Sequence, residues 1–180
     1  MDESPLSDNK NEAWVGRDKV IALMTDILAG SRAMVQHLDT QTNILIGVSS
    51  ALFVFSASII FSNKNFIFFL ILSFFSGISA IIGLYAIHPP KKSRKKGQKE
   101  SIIYNKEIAS FSSGEKYEKV LKERMLDLDK AFSEYALETY NVARYYYRPK
   151  RALFKAARNV LLTGIILCTL TFIIQYLFWR

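Results

Sequence analysis

The sequence is poor in the residues that build disulfides and metal centres. Its 180 residues include one cysteine, Cys168, and two histidines, His37 and His88. A single cysteine within an apolar stretch is most often a small packing residue, and the histidines show no HExxH or Cys/His spacing. The sequence therefore predicts neither a disulfide nor a metal site.

Signatures of catalysis and of phosphate-binding loops are also missing. No GxGxxG, P-loop or GxSxG pattern occurs. Acids that are close in sequence, such as Asp127 and Asp129, are two positions apart and would face different sides of a helix. We therefore predict that the protein is not an enzyme and has no catalytic residues.

Charge is absent from three long apolar stretches, residues 43–61, 66–87 and 160–178. Each is close to the ~20 residues with which a helix crosses about 30 Å of hydrocarbon. The first two stretches are joined by a short turn and should form a helical hairpin. Residues 1–30 lack the apolar core of a signal peptide, so the first span is expected to stay in place. The predicted fold class is an all-α membrane protein with three transmembrane helices.

Basic residues are concentrated in residues 88–159, which carry 18 Lys and Arg against nine acids. Six of these cations directly follow the second span: Lys91, Lys92, Arg94, Lys95, Lys96 and Lys99. An excess of positive charge near span ends marks the cytoplasmic side. We predict a cytoplasmic N-terminus, a cytoplasmic 88–159 region and an external C-terminus. Because the charge lies beside the spans, the expected partner is the lipid bilayer and not nucleic acid.

The regions outside the spans contain two apolar stripes. Residues 1–11 are a predicted disordered tail, and residues 12–42 a cytoplasmic amphipathic helix. Its stripe alternates spacings of four and three and continues into the first span: Val20, Met24, Ile27, Ser31, Met34, Leu38, Gln41, Leu45, Val48, Leu52, Phe55 and Ile59. A second stripe is Leu121, Met125, Leu128, Phe132, Tyr135, Thr139, Val142 and Tyr146. Two such stripes predict a cytoplasmic antiparallel helical stalk.

The second stripe also predicts local features of one long helix. Ser112 and Glu115 have the spacing of a capping box, with Ser112 as the N-cap. Charges such as Glu134 and Glu138 are expected on its exposed faces. Pro149 is expected to break or kink the helix before the third span.

The run Arg144-Tyr-Tyr-Tyr-Arg-Pro-Lys-Arg151 combines aromatic and basic residues. Helical spacing places Arg144, Tyr147, Arg148 and Arg151 near one face. Tyrosine and arginine can stack on a base and neutralise a phosphate. Alternatively, the run is an aromatic belt with snorkelling cations at the membrane interface. The residues alone leave both interpretations open.

Polar residues also gather where the first span begins, in the segment LDTQTNILIG. Asp39 is expected near the headgroup boundary, where its charge costs less than at the bilayer centre. It could serve interfacial solvation, pair with a base such as Lys91 or Arg158, or, with Gln41, couple the cytoplasmic helix to the first span.

The order of these features resembles the Pycsar effector transmembrane family. The resemblance covers roughly residues 17–176. It rests on Asp39 before the first span, the hairpin ending at Pro89, the segment IIYNKEIASFSSGEKYEKVL (102–121) and RPKRALFKAARNVLL (148–162) before the third span. Two positions depart from the family pattern, since Gln41 stands where Lys is frequent and Tyr104-Asn105-Lys106 replaces an aromatic-aromatic-Gly.

The resemblance implies a membrane effector of bacterial antiphage defence in the inner membrane. A cyclic pyrimidine nucleotide from a neighbouring cyclase would bind the cytoplasmic helices, with Arg144, Tyr147, Arg148 and Arg151 as ligand-binding candidates and Asp39 and Gln41 as coupling candidates. The protein, acting as a homo-oligomer without a cofactor, would then impair membrane integrity and block phage propagation. Two other hypotheses are a structural or partner-docking membrane subunit with a coiled-coil stalk and no ligand, and a membrane-embedded enzyme.

Overall fold

The structure, a computed structural model, describes residues 6–62, 67–88 and 100–178. Every regular element in these ranges is helical: α1 (Leu6–Ser62), α2 (Ile67–Ile87), α3 (Asn105–Ser110), α4 (Gly114–Met125), α5 (Leu128–Asn141), a π-helical turn (Val142–Tyr147) and α6 (Arg148–Phe178). The basic cluster of residues 91–99, Pro89 and most of the turn between the first two spans lie outside the described residues.

Three of these helical stretches are long and apolar enough to cross a membrane. They are Lys19–Ser62, Ile67–Ile87 and Leu128–Phe178. The predicted class, an all-α membrane protein with three transmembrane helices, is confirmed. The sidedness of the chain and the antiparallel cytoplasmic stalk stay predictions.

The chain forms two compact units. The first unit comprises Met1–Met34 and Lys95–Tyr145, and the second comprises Val35–Arg94 and Tyr146–Arg180. The second unit contains the three apolar stretches and is called the membrane unit below. Helix α1 contributes residues to both units. It begins at Leu6, inside the segment 1–11 that the sequence predicts as a disordered tail, because extending an existing helix gains one hydrogen bond for each residue fixed.

Small residues bring the helices of the membrane unit together. The buried positions of α2 recur every three or four residues: Phe68, Leu72, Ser76, Ser79, Gly83 and Ala86. A Cβ added to Gly83 would lie 2.6 Å from Ile46 of α1, and one added to Gly164 of α6 would overlap Phe75 of α2. Small side chains let helix backbones approach closely in lipid, where apolarity alone gives no preference between helix and lipid.

The buried face of α1 differs from the predicted stripe at every second member. Between residues 24 and 56 the buried face is formed by buried or half-buried positions three or four residues apart: Met24, Leu28, Ser31, Val35, Leu38, Thr42, Leu45, Ser49, Leu52 and Ser56. The predicted members Ile27, Met34 and Val48 are instead about half exposed or more. Because adjacent positions such as Ile27 and Leu28 are both apolar, the spacing alone permits either face.

Residues 112–148 are not the single long helix that the sequence predicts. Helix α4 ends at Met125, and α5 begins at Leu128 with Asp127 as its N-cap. The Asp127 carboxylate accepts hydrogen bonds from the backbone N–H groups of Asp129 (3.1 Å) and Lys130 (3.3 Å). The Lys130 backbone bond is the main reason why the pKa of Asp127 is lowered. Aspartate is a favoured cap because it satisfies otherwise unpaired donors, so it starts a new helix here.

The first turn of α4 is also capped one residue later than predicted. Ser113, not Ser112, is the N-cap, and its hydroxyl accepts the backbone N–H of Lys116 at 3.4 Å. The Ser112 hydroxyl accepts instead from the Lys116 ammonium group at 3.0 Å.

Pro149 does not interrupt the helix. It is the second residue of α6, and the helical segment Leu128–Phe178 continues through it, so its missing N–H falls within a continuous helix. The π-helical turn directly precedes α6. The helical hydrogen-bond pattern therefore changes before the proline, and the helix does not end at it.

Two glutamates expected on exposed faces of α5 are buried in the first unit. Glu134 and Glu138 are 3% and 2% exposed. The Glu134 carboxylate accepts from Arg124 Nη1 (2.6 Å) and from the Ile102 backbone N–H (3.0 Å). Glu138 accepts from Arg32 Nη2 of α1 at 3.3 Å. The burial is tolerated because each carboxylate has a cationic partner, and helical spacing could not reveal those partners.

Candidate ligand and coupling site

Three of the four predicted ligand residues lie together at the start of α6. Tyr147 ends the π-helical turn, and Arg148 and Arg151 are exposed in the first two turns of α6. The guanidinium carbon of Arg151 is 5.7 Å from the centroid of the Tyr147 ring. This is a cation–π arrangement, which holds the guanidinium beside an aromatic face. An anion and a flat base could use the same pair of groups.

The fourth predicted ligand residue, Arg144, belongs to the first unit. It is exposed in the π-helical turn. Its neighbour Tyr145 packs edge-on against Tyr140, with ring centroids 6.1 Å apart. π-Helical turns occur frequently at functional sites because they reorient side chains within an otherwise regular helix.

Asp39 forms an ion pair with Lys150 within the membrane unit. The Lys150 ammonium group donates to both carboxylate oxygens, at 2.6 Å to Oδ1 and 2.8 Å to Oδ2. The Lys150 side chain is 11% exposed and that of Asp39 33%. Such a pair joins the start of the first span to the start of α6 by a charge-assisted hydrogen bond at both oxygens.

The identity of this partner corrects the sequence-based expectation of Lys91 or Arg158. Arg158 donates to Asn159 Oδ1 at 3.3 Å, and Lys91 lies outside the described residues. Lys150 was missed because it sits between Arg148 and Arg151 in a run of cations. Only the packing of α6 against α1 distinguishes the inward-facing member from its exposed neighbours.

Gln41, the second coupling candidate, pairs with a residue other than Asp39. Its side-chain nitrogen is 3.0 Å from His37 Nε2, one turn earlier on the exposed side of α1. This is a local pair within one helix. Of the two coupling candidates, Asp39 therefore has the contact that connects different helices.

The membrane unit also contains a hydrogen-bond relay between α1, α2 and α6. The Ser79 hydroxyl of α2 donates to the Ala157 carbonyl of α6 at 2.9 Å. Its oxygen lies 3.0 Å from the Ser49 hydroxyl of α1. Ser79 has one hydroxyl proton and donates it to the Ala157 carbonyl, so Ser49 must be the donor to Ser79. All three residues are fully buried.

The first unit contains an open cavity of about 370 Å³ that sequence reasoning did not identify. It is lined by Met24, Ile27, Tyr135, Ala136, Thr139, Tyr140 and Ala143. The lining offers aromatic rings and one threonine hydroxyl, and it contains no cation. It could accept a flat apolar group, whereas an anionic phosphate would find no charge partner there.

Neighbouring groups shift the pKa of Glu138 on the buried face of α5. Burial raises the pKa of Glu138, and the neighbouring Glu100 raises it further, while Arg32 acts in the opposite direction. The carboxyl group therefore takes up a proton at a higher pH than an ordinary glutamate. This makes the α1–α5 contact within the first unit sensitive to pH.

A comparison with protein-family models identifies residues 23–176 as a Pycsar effector protein domain. Comparisons with curated proteins and with solved structures gave no significant match. The domain match covers both units, including Asp39, Lys150 and the aromatic–basic turn. The chain therefore belongs to the Pycsar effector family, whose members are membrane-associated antiphage effectors linked to cyclic-nucleotide signalling.

Proposed function

We propose that the protein is a non-enzymatic effector that a cyclic pyrimidine nucleotide activates and that then impairs the bacterial inner membrane to stop phage propagation. The observation that carries this proposal is a family match that spans the three apolar helices and the basic–aromatic turn in one chain. The nucleotide comes from a neighbouring cyclase, and copies of the chain assemble in the membrane. The N-terminus is cytoplasmic and the C-terminus external.

The start of α6 is the proposed nucleotide contact. Arg148 and Arg151 are exposed, and guanidinium groups bind a phosphate through paired hydrogen bonds. Tyr147 supplies an aromatic face for the base. Arg144, in the π-helical turn, is the fourth proposed contact. The alternative location is the cavity of the first unit, which has the aromatic rings but no cation for the phosphate.

Ligand binding is proposed to act through Asp39. Its partner Lys150 lies between the ligand candidates Arg148 and Arg151 in the sequence. A phosphate bound by these arginines would also attract the Lys150 ammonium group and weaken its attraction to Asp39. The start of the first span would then lose its contact with α6. Gln41 has a secondary role in this proposal because its contact is local.

The proposal is tested by expressing the chain with a pyrimidine cyclase and following growth, plaque formation and membrane potential. A cyclase without activity serves as the control. We expect depolarisation, growth arrest and fewer plaques only when the active cyclase and the effector are both present. Unchanged membrane potential and growth in that combination would refute the effector function.

The coupling role predicts a separate result for Asp39→Ala. The variant should insert normally but respond abnormally to the nucleotide, because Lys150 is no longer held. Thr40→Ala is a matched control, since Thr40 is exposed on the same turn and its hydroxyl donates only to the Gln36 carbonyl. Normal signalling by an inserted Asp39→Ala variant would limit Asp39 to interfacial solvation.

The partner-docking alternative makes the opposite prediction. It requires a stable complex with a different protein and no toxicity with any cyclase. Recovery of only the chain itself after mild solubilisation and affinity purification would count against it.

A further inference from the structure

Four contacts set the position of α6 along the hairpin of α1 and α2 within the membrane unit. In order along α6 they are Lys150 with Asp39, Ala157 with Ser79, Gly164 with Phe75, and Phe172 with Phe68. The contacts occur in consistent order from one end of the helix to the other. The position of α6 along the hairpin is therefore well defined.

Because of this position, the third apolar stretch starts deeper in the membrane unit than the other two stretches do. Ser49 lies six residues inside the first stretch (43–61), and Ser79 lies eight residues from the residue-87 end of the second (66–87). At 1.5 Å per residue these are depths of roughly 9 and 12 Å. The relay Ser49–Ser79–Ala157 puts Ala157 at the same depth. The third apolar stretch nevertheless begins only at residue 160.

The last polar residues of α6 consequently lie within the layer that the hairpin spans. Arg158 and Asn159 directly follow Ala157, at roughly 10 Å depth, and Lys155 is about 5 Å nearer the boundary. All three are exposed, whereas Ala157 on the opposite side is buried. We call Lys155, Arg158 and Asn159 the deep polar patch. Among the described residues, no carboxylate pairs with either of its cations.

Two cations facing hydrocarbon require a source of solvation. Side chains on a helix lean toward its N-terminus, which here is the Lys150 end of α6. Lys155 and Arg158 therefore extend toward the nearer membrane surface and recover part of their depth. The remaining distance between the cationic groups and the membrane surface can be removed by local thinning of the bilayer, which has a modest free-energy cost per ångström. Lipid phosphates surround every copy of the chain, whereas a water-filled path would need other copies to enclose it.

We propose that the deep polar patch binds the phosphate groups of anionic phospholipids and holds them below the surrounding headgroup plane. Arg158 is the principal contact, because it is the deeper of the two cations and can bind a phosphate through two parallel hydrogen bonds. Lys155 adds a second cation one turn closer to the surface. The leaflet next to the Lys150 end of α6 is thinned around this helix. This interaction requires no nucleotide, so it can be tested apart from the proposed signalling function.

The first test measures lipid retention by the full chain in detergent, using native mass spectrometry after exposure to equal amounts of phosphatidylglycerol and phosphatidylcholine. We expect preferential retention of phosphatidylglycerol and at least a fivefold loss of that preference in Lys155→Gln/Arg158→Gln. Lys119→Gln/Lys122→Gln removes the same charge from α4 and should keep the preference. Equal loss in both double variants would overturn the proposal, as would displacement of the lipid by millimolar glycerol phosphate, which would indicate a site for soluble anions.

The second test measures the depth of the patch in phosphatidylglycerol vesicles. Cys168→Ser leaves a chain without cysteine, and Asn159→Cys then carries a nitroxide spin label. We expect the label to collide more with a water-soluble nickel complex than with oxygen. Lys155→Gln/Arg158→Gln should lower the nickel-to-oxygen ratio severalfold. A low nickel-to-oxygen ratio with both cations intact would contradict the proposed thinning of the leaflet. So would a ratio that is the same with and without the Lys155→Gln/Arg158→Gln substitutions. Size-exclusion profiles and helical circular dichroism confirm that each variant is folded.

Discussion

Among the described residues, both units of this protein bury hydroxyl groups, but only the first unit buries carboxylates. The membrane unit buries hydroxyl groups and glycines, among them Ser49, Ser79 and Gly164. The first unit buries two carboxylates, Glu134 and Glu138, against arginines. In lipid, small residues allow close approach and hydroxyl groups can satisfy themselves with nearby carbonyls. Outside the spans, water competes for charged groups, so burial requires a strong partner.

The comparison is tested most severely by Gly164→Leu. The added side chain would meet Phe75 of α2 and force the helices apart, at a cost of about 3 kcal/mol or more. Thermal unfolding in detergent, followed by circular dichroism, should show the loss. Gly47→Leu is the matched control, because a Cβ at Gly47 meets nothing within 4 Å. Equal destabilisation of both variants would show that glycine at position 164 is not required for packing.

The next largest effect is expected from Glu134→Ala in the first unit. It leaves the Ile102 N–H without its acceptor and Arg124 without its carboxylate. Because Arg124 remains partly exposed, the expected cost is about 2–3 kcal/mol and not the larger values of fully buried pairs. Glu134→Gln should recover part of the stability by accepting from Ile102. Glu123→Ala, at an exposed position, should change the melting temperature little.

A smaller effect is expected from Ser79→Ala in the membrane unit. The substitution removes the hydrogen bonds to Ser49 and Ala157 without changing the close packing. Hydrogen bonds between membrane helices contribute about 0.6 kcal/mol on average, with a maximum near 1.7 kcal/mol. Steric trapping of the unfolded state can measure this difference. A loss as large as that of Gly164→Leu would show that polar contacts, and not shape, dominate the membrane unit.

The smallest effect is a pH dependence caused by Glu138. Burial raises its pKa in the folded protein above the ordinary value near 4.5. The folded state therefore favours the protonated form, and this contribution to stability is lost as the pH rises through the raised pKa. Glu138→Gln should flatten the melting temperature between about pH 4.5 and that higher pKa. An unchanged slope would assign the pH dependence to other groups.

The spans could be predicted from the sequence because the length of a charge-free apolar run can be compared directly with the thickness of the hydrocarbon layer. The sequence could not select the buried face of α1, where Ile27 and Leu28 are equally apolar. It also missed the end of α4, although Asp127 is a typical helix cap.

The candidate site was predicted only in part. Helical spacing puts Tyr147, Arg148 and Arg151 near one face, and in the structure Arg151 lies over the Tyr147 ring, but their role in binding a ligand stays a prediction. Lys150, the partner of Asp39, depends on a contact between positions 111 residues apart. The buried roles of Glu134 and Glu138 likewise depend on Arg124 and Arg32, which lie on other helices. Pairings of this kind require the packed structure, because sequence periodicity describes one helix at a time.

The direction of the serine relay has a consequence for the order of assembly. Ser49 donates to Ser79, and Ser79 donates to a carbonyl of α6 that already belongs to a helical turn. If α6 is absent, Ser49 can still donate to Ser79, so the α1–α2 hairpin keeps this hydroxyl pair, and only the Ser79 proton lacks its Ala157 acceptor. A growing chain can therefore complete its hairpin before the last helix is synthesised. The third helix can join afterwards by adding one hydrogen bond, without breaking the pair that is already made.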